Sequence, residues 1–490
     1  MARGRDPRRS AEVNAVKKAL SIIICAALLA SLSGCSWLEG IFNPASPRLD
    51  FGSNETVETP DADYEPLYDV NGDRIADAPL TDIELRAKSI GTSRLTPERI
   101  EGGTLYAGNL IRLARALKRC EAAFTEEETP PYFSSEDSAP SSSRPDPTID
   151  RSPVTVGFCG SGAMAGDGVE YMKDAYPFAI RRWFADAYGS DNFNFLFRGV
   201  SGSDSRYGAH DVGRNLINDG ADIVFVDYSV ADMKNPEAKE TFEVVVRRLL
   251  TAEKPIAVVI LCTMDAACNS DYATELEIAR AYGCPVISMR HAVAQELADG
   301  RFFFSSMTDD GFSLGLNGHA FFGELVANFL ENVRRNADKI NTDADIPVPA
   351  VGLTPCRYMN GWMFTNYKRP VSYGSFVRLG LRYDIFDRCG WECSKPGGDP
   401  LVYDVDAQYI TLMYWRVVDR TGGRLEVFVD GVKTATLECD YIDGGEDCAG
   451  YATVYVGDGV ATHRVEIKMS AEKNRGSTGE RVCLLAIMTA

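Results

Sequence analysis

Two glycine-rich stretches place hydroxyl groups where nucleophilic chemistry could occur. The first, Gly160-Ser161-Gly162-Ala163-Met164-Ala165-Gly166, follows an apolar run at 154–158. A serine between glycines at a strand-to-helix turn is exposed for attack on a carbonyl, and backbone N–H groups can stabilise the oxyanion that develops. The second, Gly199-Val200-Ser201-Gly202-Ser203-Asp204-Ser205, carries three more serines. A serine hydroxyl needs a neighbouring base, and the chain has only four histidines, His210, His291, His319 and His463. His319 opens the last helix of its region. His463 starts an alternating strand and reads as structural. Other chemistries lack their residues. Cys262 and Cys268 have no histidine nearby to complete a metal site, and no phosphate-binding GxxxxGK[ST] loop exists. Asp69, Asn71 and Asp73 open like a calcium loop, but Leu80 stands at the twelfth position, where a bidentate carboxylate belongs. No metal and no cofactor is expected.

The elements that would hold these residues follow from periodicity. Apolar runs at 154–158, 223–226, 256–261 and 286–288 alternate with helical stretches near 176–188, 207–218, 238–250 and 272–282, and a last helix covers 319–334. Strands separated by helices of this length make right-handed βαβ units and a parallel sheet covered on both faces. Such sheets bind ligands at the carboxyl ends of their strands, where both glycine-rich stretches fall. Leu110, Leu113, Ala114 and Leu117 recur at helical spacing, so 104–120 reads as an amphipathic helix. Prolines at 347, 349 and 355 mark a linker. Beyond 356 the period becomes two: Leu425, Val427 and Val429 alternate with polar residues or Phe428, and Asp430-Gly431 signals a hairpin turn. With runs at 409–418, 451–456, 464–469 and 482–488, this part reads as an antiparallel β-sandwich.

Taken in order, the Ser161 stretch, the Gly202 stretch, Ser229-Val230-Ala231-Asp232 and Asp310-Gly311-Phe312-Ser313 resemble the four blocks of the SGNH/GDSL hydrolase family. The resemblance covers roughly 104–335. It implies a three-layer, flavodoxin-like α/β domain with Ser161 as nucleophile, the Gly202 amide as an oxyanion donor and Asp310 orienting the catalytic base. The departures from the pattern are as informative. Where the family has a histidine three residues after the aspartate, this chain has Ser313. The asparagine that supplies a second oxyanion donor is Ala231. Losing a triad member leaves roughly 10³–10⁴-fold catalysis over water, and losing one oxyanion donor costs a further ~10²–10³. The downstream sandwich resembles the domain that often follows such hydrolases in carbohydrate-active bacterial proteins. The resemblance therefore implies a protein acting on or binding acylated glycans, from the cell surface or the diet, with weak or absent esterase activity. The alternatives are an active esterase or deacetylase with a relocated base, or a glycan-binding scaffold.

Composition sets the outer bounds. The 490 residues are 45% hydrophobic and 25% charged, which suits a folded protein. A formal net charge of −19 and the absence of a basic stripe argue against a nucleic-acid partner. Six basic residues in 1–18 precede an apolar or small run at 19–34, which ends Leu32-Ser33-Gly34-Cys35. This is a secretory pattern and resembles the lipobox of bacterial lipoproteins, which implies acylation of Cys35 and attachment to the outer face of the cell membrane. The organisation expected is a signal peptide at 1–35, an acidic, proline-broken stalk at 36–100, the α/β domain at 101–340 with a flexible insertion at 121–150, and the β-sandwich at 356–490. Eleven cysteines lie downstream of Cys35 in a compartment that permits disulfides, with Cys439/Cys448 and Cys389/Cys393 as close pairs.

Overall fold

The structure is a computed structural model that describes residues 95–124, 152–189, 192–379, 390–441 and 447–490. The expected signal peptide, Cys35, Asp69–Asp73 and Cys389 lie outside the described residues, as does nearly all of the insertion.

The α/β part contains helices α1 (Pro97–Gly103), α2 (Ile111–Phe124), α3 (Gly162–Ala165), α4 (Tyr176–Tyr188), α5 (Ser205–Val212), α6 (Ala238–Leu250), α7 (Tyr272–Tyr282), α8 (Met289–Ala292), α9 (Ala294–Ala298) and α10 (Leu316–Asn336). Its strands are β1 (Thr104–Tyr106), β2 (Val154–Gly160), β3 (Phe193–Gly199), β4 (Ile223–Asp227), β5 (Ala257–Cys262) and β6 (Val286–Ser288), in the spatial order β1-β6-β5-β4-β2-β3. β2 to β6 run parallel, and β1 pairs antiparallel with β6 at the edge. Side chains alternate between two apolar layers. Ile223, Phe225, Val259 and Leu261 face the layer made with α2, α4 and α10, while Val224, Val226, Val258 and Ile260 face the layer made with α5, α6 and α7. Burial on both faces is why these strands read as unbroken apolar runs.

Two expectations are corrected. The region 104–120 is not one helix. Thr104–Tyr106 is a strand, and α2 begins at Ile111, where the Asn109 side chain accepts its backbone N–H at 3.0 Å. α1 lies partly inside the segment expected as stalk, starting at Pro97 with the Thr96 hydroxyl as its N-cap.

The β part has β7 (Trp362–Phe364), β8 (Val377–Arg378), β9 (Trp391–Cys393), β10 (Leu401–Arg416), β11 (Arg424–Val429), β12 (Val432–Glu438), β13 (Cys448–Met469) and β14 (Val482–Thr489). They form one curled antiparallel sheet in the order β12-β11-β13-β10-β14-β9-β8, with β7 on β14, folded around its own apolar core. The runs expected as separate strands at 451–456 and 464–469 are one strand of 22 residues. Asp430 and Gly431 both have positive φ, 52° and 78°, as a two-residue hairpin turn requires. Cys439 and Cys448 do not bridge: Cys439 is buried in the core, and Cys448 Sγ accepts from Arg416 Nη2 at 3.1 Å.

The linker is pinned to α6. The Glu243 carboxylate accepts the N–H groups of Leu353 and Thr354 at 2.6 and 2.7 Å and the hydroxyls of Thr354 and Tyr282. Arg357 meets both oxygens of Glu240 through Nε, at 3.0 and 2.9 Å. Beyond it, Met363, Met413, Leu485 and Met488 of the β part pack with Tyr207 of α5 in a shared apolar cluster.

Candidate active site

The connections leaving β2 and β4 pass to opposite faces, α4 on one and α6 on the other, so a crevice opens at their carboxyl ends. Ser161 lies there, directly after β2, as the N-cap of α3. Its backbone is extended, its N–H donates to the Asp227 carbonyl at 3.1 Å and its carbonyl accepts from Ala165 at 2.8 Å. The Asp227 carboxylate is buried beneath this turn. It accepts from Tyr176 Oη at 2.7 Å, from Ser229 Oγ at 3.0 Å and from Thr263 Oγ1, while burial raises its pKa.

The second loop follows β3, whose Gly199 pairs with Gly160 of β2. Val200 N–H donates to the Gly160 carbonyl at 2.9 Å, which ties the two loops together. The chain then turns through Gly202 at φ +70°, a conformation that side chains disfavour, with Ser203 N–H closing the turn on Val200 O at 3.2 Å. Asp204 caps α5 and forms a salt bridge with Arg206. From behind, Asp232 accepts the Ser205 N–H at 2.9 Å and the Asn235 amide at 3.2 Å. Burial, followed by the charge of Asp204, pushes the Asp232 carboxyl up to about 8, so it is neutral at pH 7. Asp232 thus anchors the Gly202 loop. Ala231 beside it presents only a methyl group, which cannot donate to an oxyanion.

The β part supplies one wall. A Cβ on Gly202 would stand 3.7 Å from both Ala449 N and Cys448 Cα, at the start of β13. The Arg206 guanidinium lies over the Tyr451 ring, 4.4 Å from its centroid. Nothing in the sequence pattern of the sandwich indicated that this end of it meets the Gly202 loop.

The fourth block is differently employed. Asp310 is exposed, and its Oδ1 accepts the N–H groups of Phe312 and Ser313, both at 2.8 Å, and the Thr308 hydroxyl at 3.0 Å. These backbone bonds hold its pKa at about 2. The carboxylate therefore organises its own turn and orients no imidazole. Ser313 lies against the loop after α3: a Cβ on Gly168 would be 2.7 Å from Ser313 Cβ. Phe312, next to it, is 80% exposed.

None of the four imidazoles hydrogen-bonds to Ser161. His319 Nδ1 accepts the Tyr176 N–H at 3.2 Å, which leaves the proton on Nε2 to meet the Asp167 carbonyl at 3.1 Å. His210 bonds the Arg206 carbonyl at 2.8 Å, and His291 bonds Ser288 Oγ at 2.8 Å. Burial lowers both to about 4. His463 pairs with Asp430 at 2.7 Å in the β part.

One residue in the crevice was not singled out by sequence. Asp167 sits six positions after Ser161, and its Oδ2 accepts from Ser201 Oγ at 2.6 Å. The same oxygen is 2.8 Å from where a Cβ on Gly162 would lie.

No protein-family model matches the sequence, and neither does any curated protein. Among solved structures, a two-domain esterase active on acetylated mannans superposes with a TM-score of 0.66 at 21% identity, covering 80% of this chain and 98% of that one. The same esterase co-crystallised with mannopentaose gives a TM-score of 0.65 at 21% identity, with 80% and 97% covered. With its serine turn at the switch point and a curled antiparallel sheet against the next loop, the chain has the SGNH/GDSL hydrolase fold in two-domain form.

Proposed function

We propose that this protein engages O-acylated glycans outside the cell, with Ser161 and the Gly202 loop lining the site and esterase turnover weak because no imidazole reaches the serine. The observation that carries the reading is the contrast within one crevice. The serine turn and the glycine loop are built and hydrogen-bonded together, while Asp310 closes its own turn on the Ser313 N–H and none of the four imidazoles hydrogen-bonds to Ser161. The structural likeness to an esterase active on acetylated mannans supports a glycan ester as the ligand class. Exposed Phe312 and Phe303 offer apolar faces of the kind that stack on sugar rings.

The export reading belongs to the same proposal. The signal segment at 1–35 delivers the chain, acyl groups on Cys35 hold it to the outer face of the membrane, and the acidic stretch at 36–100 sets the folded part away from it. Among the described residues no helix is long and apolar enough to cross a membrane.

Affinity electrophoresis in acetylated and in chemically deacetylated mannan, together with acetate release from the acetylated polymer, tests the glycan reading. Retardation by the acetylated polymer and slow acetate release are expected. Equal migration with and without polymer overturns the reading. Globomycin treatment tests the anchor: an unprocessed precursor is expected, and an unchanged mass overturns it.

A further inference from the structure

We infer that Asp167 is the proton acceptor for Ser161 in whatever ester cleavage this site performs, replacing the imidazole absent at position 313. This role rests on the glycan-ester reading above and names the residue that would make its turnover possible.

Three contacts converge on Asp167. Its backbone N–H donates to the Gly162 carbonyl at 3.0 Å, which closes the serine turn. Its carbonyl receives the Nε2 proton of His319, so a buried ring fixes the backbone on the other side. Its carboxylate is gripped by Ser201 Oγ at 2.6 Å, from the loop that carries Gly202. The acid is thus held between the nucleophile turn and the oxyanion loop. The next residue, Gly168, packs directly against Ser313, so the acid also borders the position of the missing histidine.

Gly162 and Asp167 depend on one another here. With Oδ2 only 2.8 Å from the place of a Cβ, any side chain on Gly162 would displace the carboxylate. The glycine following Ser161 makes room for an acid in the same chain that lacks the histidine. The Ser201 hydroxyl fixes one carboxylate oxygen, a role like that of the group that orients a catalytic base.

The chemistry balances without any further reagent. As Ser161 Oγ bonds to the ester carbonyl carbon, its proton passes to the Asp167 carboxylate. When the tetrahedral intermediate collapses, the bond from carbon to the sugar oxygen breaks and that oxygen takes the proton from Asp167. Water then attacks the acyl-serine, Asp167 accepts its proton and returns it to Ser161 Oγ, and the carboxylic acid leaves. A carboxylate is a weaker base than imidazole, so turnover is slow and its acidic limb falls below the imidazole range.

The test is p-nitrophenyl acetate turnover and fluorophosphonate labelling of the full chain from pH 3.5 to 8, with Asp167→Asn, Asp167→Ala, Ser161→Ala and Gly162→Ile. Asparagine still accepts from Ser201, so Asp167→Asn keeps the loop in place. Expected are a wild-type acidic limb below the imidazole range, a loss of at least 100-fold in Asp167→Asn with unchanged melting temperature, and partial rescue of Asp167→Ala by formate. Gly162→Ile is expected to lose as much as Asp167→Asn. Asp167→Asn within twofold of wild type, or an acidic limb near 6.5, overturns the inference while Ser161-dependent turnover still stands. Absence of any Ser161-dependent turnover also overturns it, and retained binding to acetylated mannan would then leave the glycan reading intact.

Discussion

His319 stacks on Tyr176 with ring centroids 5.9 Å apart and, through Nδ1, accepts the backbone N–H of the same tyrosine. The ring is fully buried, and burial lowers its pKa from the ordinary imidazole value. It joins the first turn of α4 to the loop after the serine turn. Replacing it with phenylalanine preserves the stacking but leaves the Tyr176 N–H and the Asp167 carbonyl without these partners. Each buried unsatisfied group costs about 1–3 kcal/mol, so His319→Phe is expected to lower the melting temperature by several degrees in differential scanning calorimetry. An unchanged melting temperature would show that the two bonds are not made.

Restoring the family's base should create activity. Ser313→His with Ala231→Asn returns an imidazole to the end of the Asp310 turn and a second donor to the oxyanion side. General acid–base catalysis contributes roughly 10²–10⁴-fold, and p-nitrophenyl acetate turnover is expected to rise by at least tenfold, with an acidic limb in the imidazole range. No gain in a correctly folded double variant would mean that Ser313 is not the position of the missing base.

Asp232 makes stability depend on pH in a definite direction. Its folded pKa of about 8 lies above the unfolded carboxylate value, so between about pH 4 and 8 the folded state holds a proton that the unfolded state releases. This contribution to stability therefore falls as pH rises through that window. Asp232→Asn still accepts from the Ser205 N–H and does not titrate. In urea titrations from pH 5 to pH 8, the variant should gain on wild type by up to about 1.4 kcal/mol for each pH step of one. A parallel pH dependence in the two proteins would rule Asp232 out as the source.

The hold of the linker on α6 should decide whether the chain melts as one unit. Glu243→Ala removes the acceptor for two backbone N–H groups and two hydroxyls. Calorimetry is expected to change from a single transition to two, and protease to cut near 346–356. A single unshifted transition would assign the coupling to the contacts that remain, the Arg357–Glu240 pair, Arg206 over Tyr451 and the Tyr207–Met363 cluster.

The sheet was legible because its strands are buried on both faces and separated by helices of ordinary length. The stretches expected at 176–188, 238–250 and 272–282 are the observed α4, α6 and α7. β1 escaped notice because three half-buried residues precede a helix whose apolar spacing extends visually back over them. β13 reads as two runs because its register against β10 shifts between Val456 and Ala461, which interrupts the alternation. The serine and glycine loops are local and leave a mark in the sequence. Asp167 does not: its place depends on a missing side chain at Gly162 and a hydroxyl 34 residues away, a coincidence in space and not in spacing. The use of Asp310 to close its own turn was equally invisible, because the same four residues can either present an acid or consume it.

β13 begins against Gly202 and ends at Met469, paired with Leu425 deep in the β part. Through this single strut the shape of the crevice and the shape of the curled sheet become one inheritance. A recombination event that exchanged the β part would replace a wall of the crevice with it, and an isolated α/β part would lack that wall. Divergence in this lineage would then show as paired changes across that wall, with the loop after β3 and residues 448–451 drifting together.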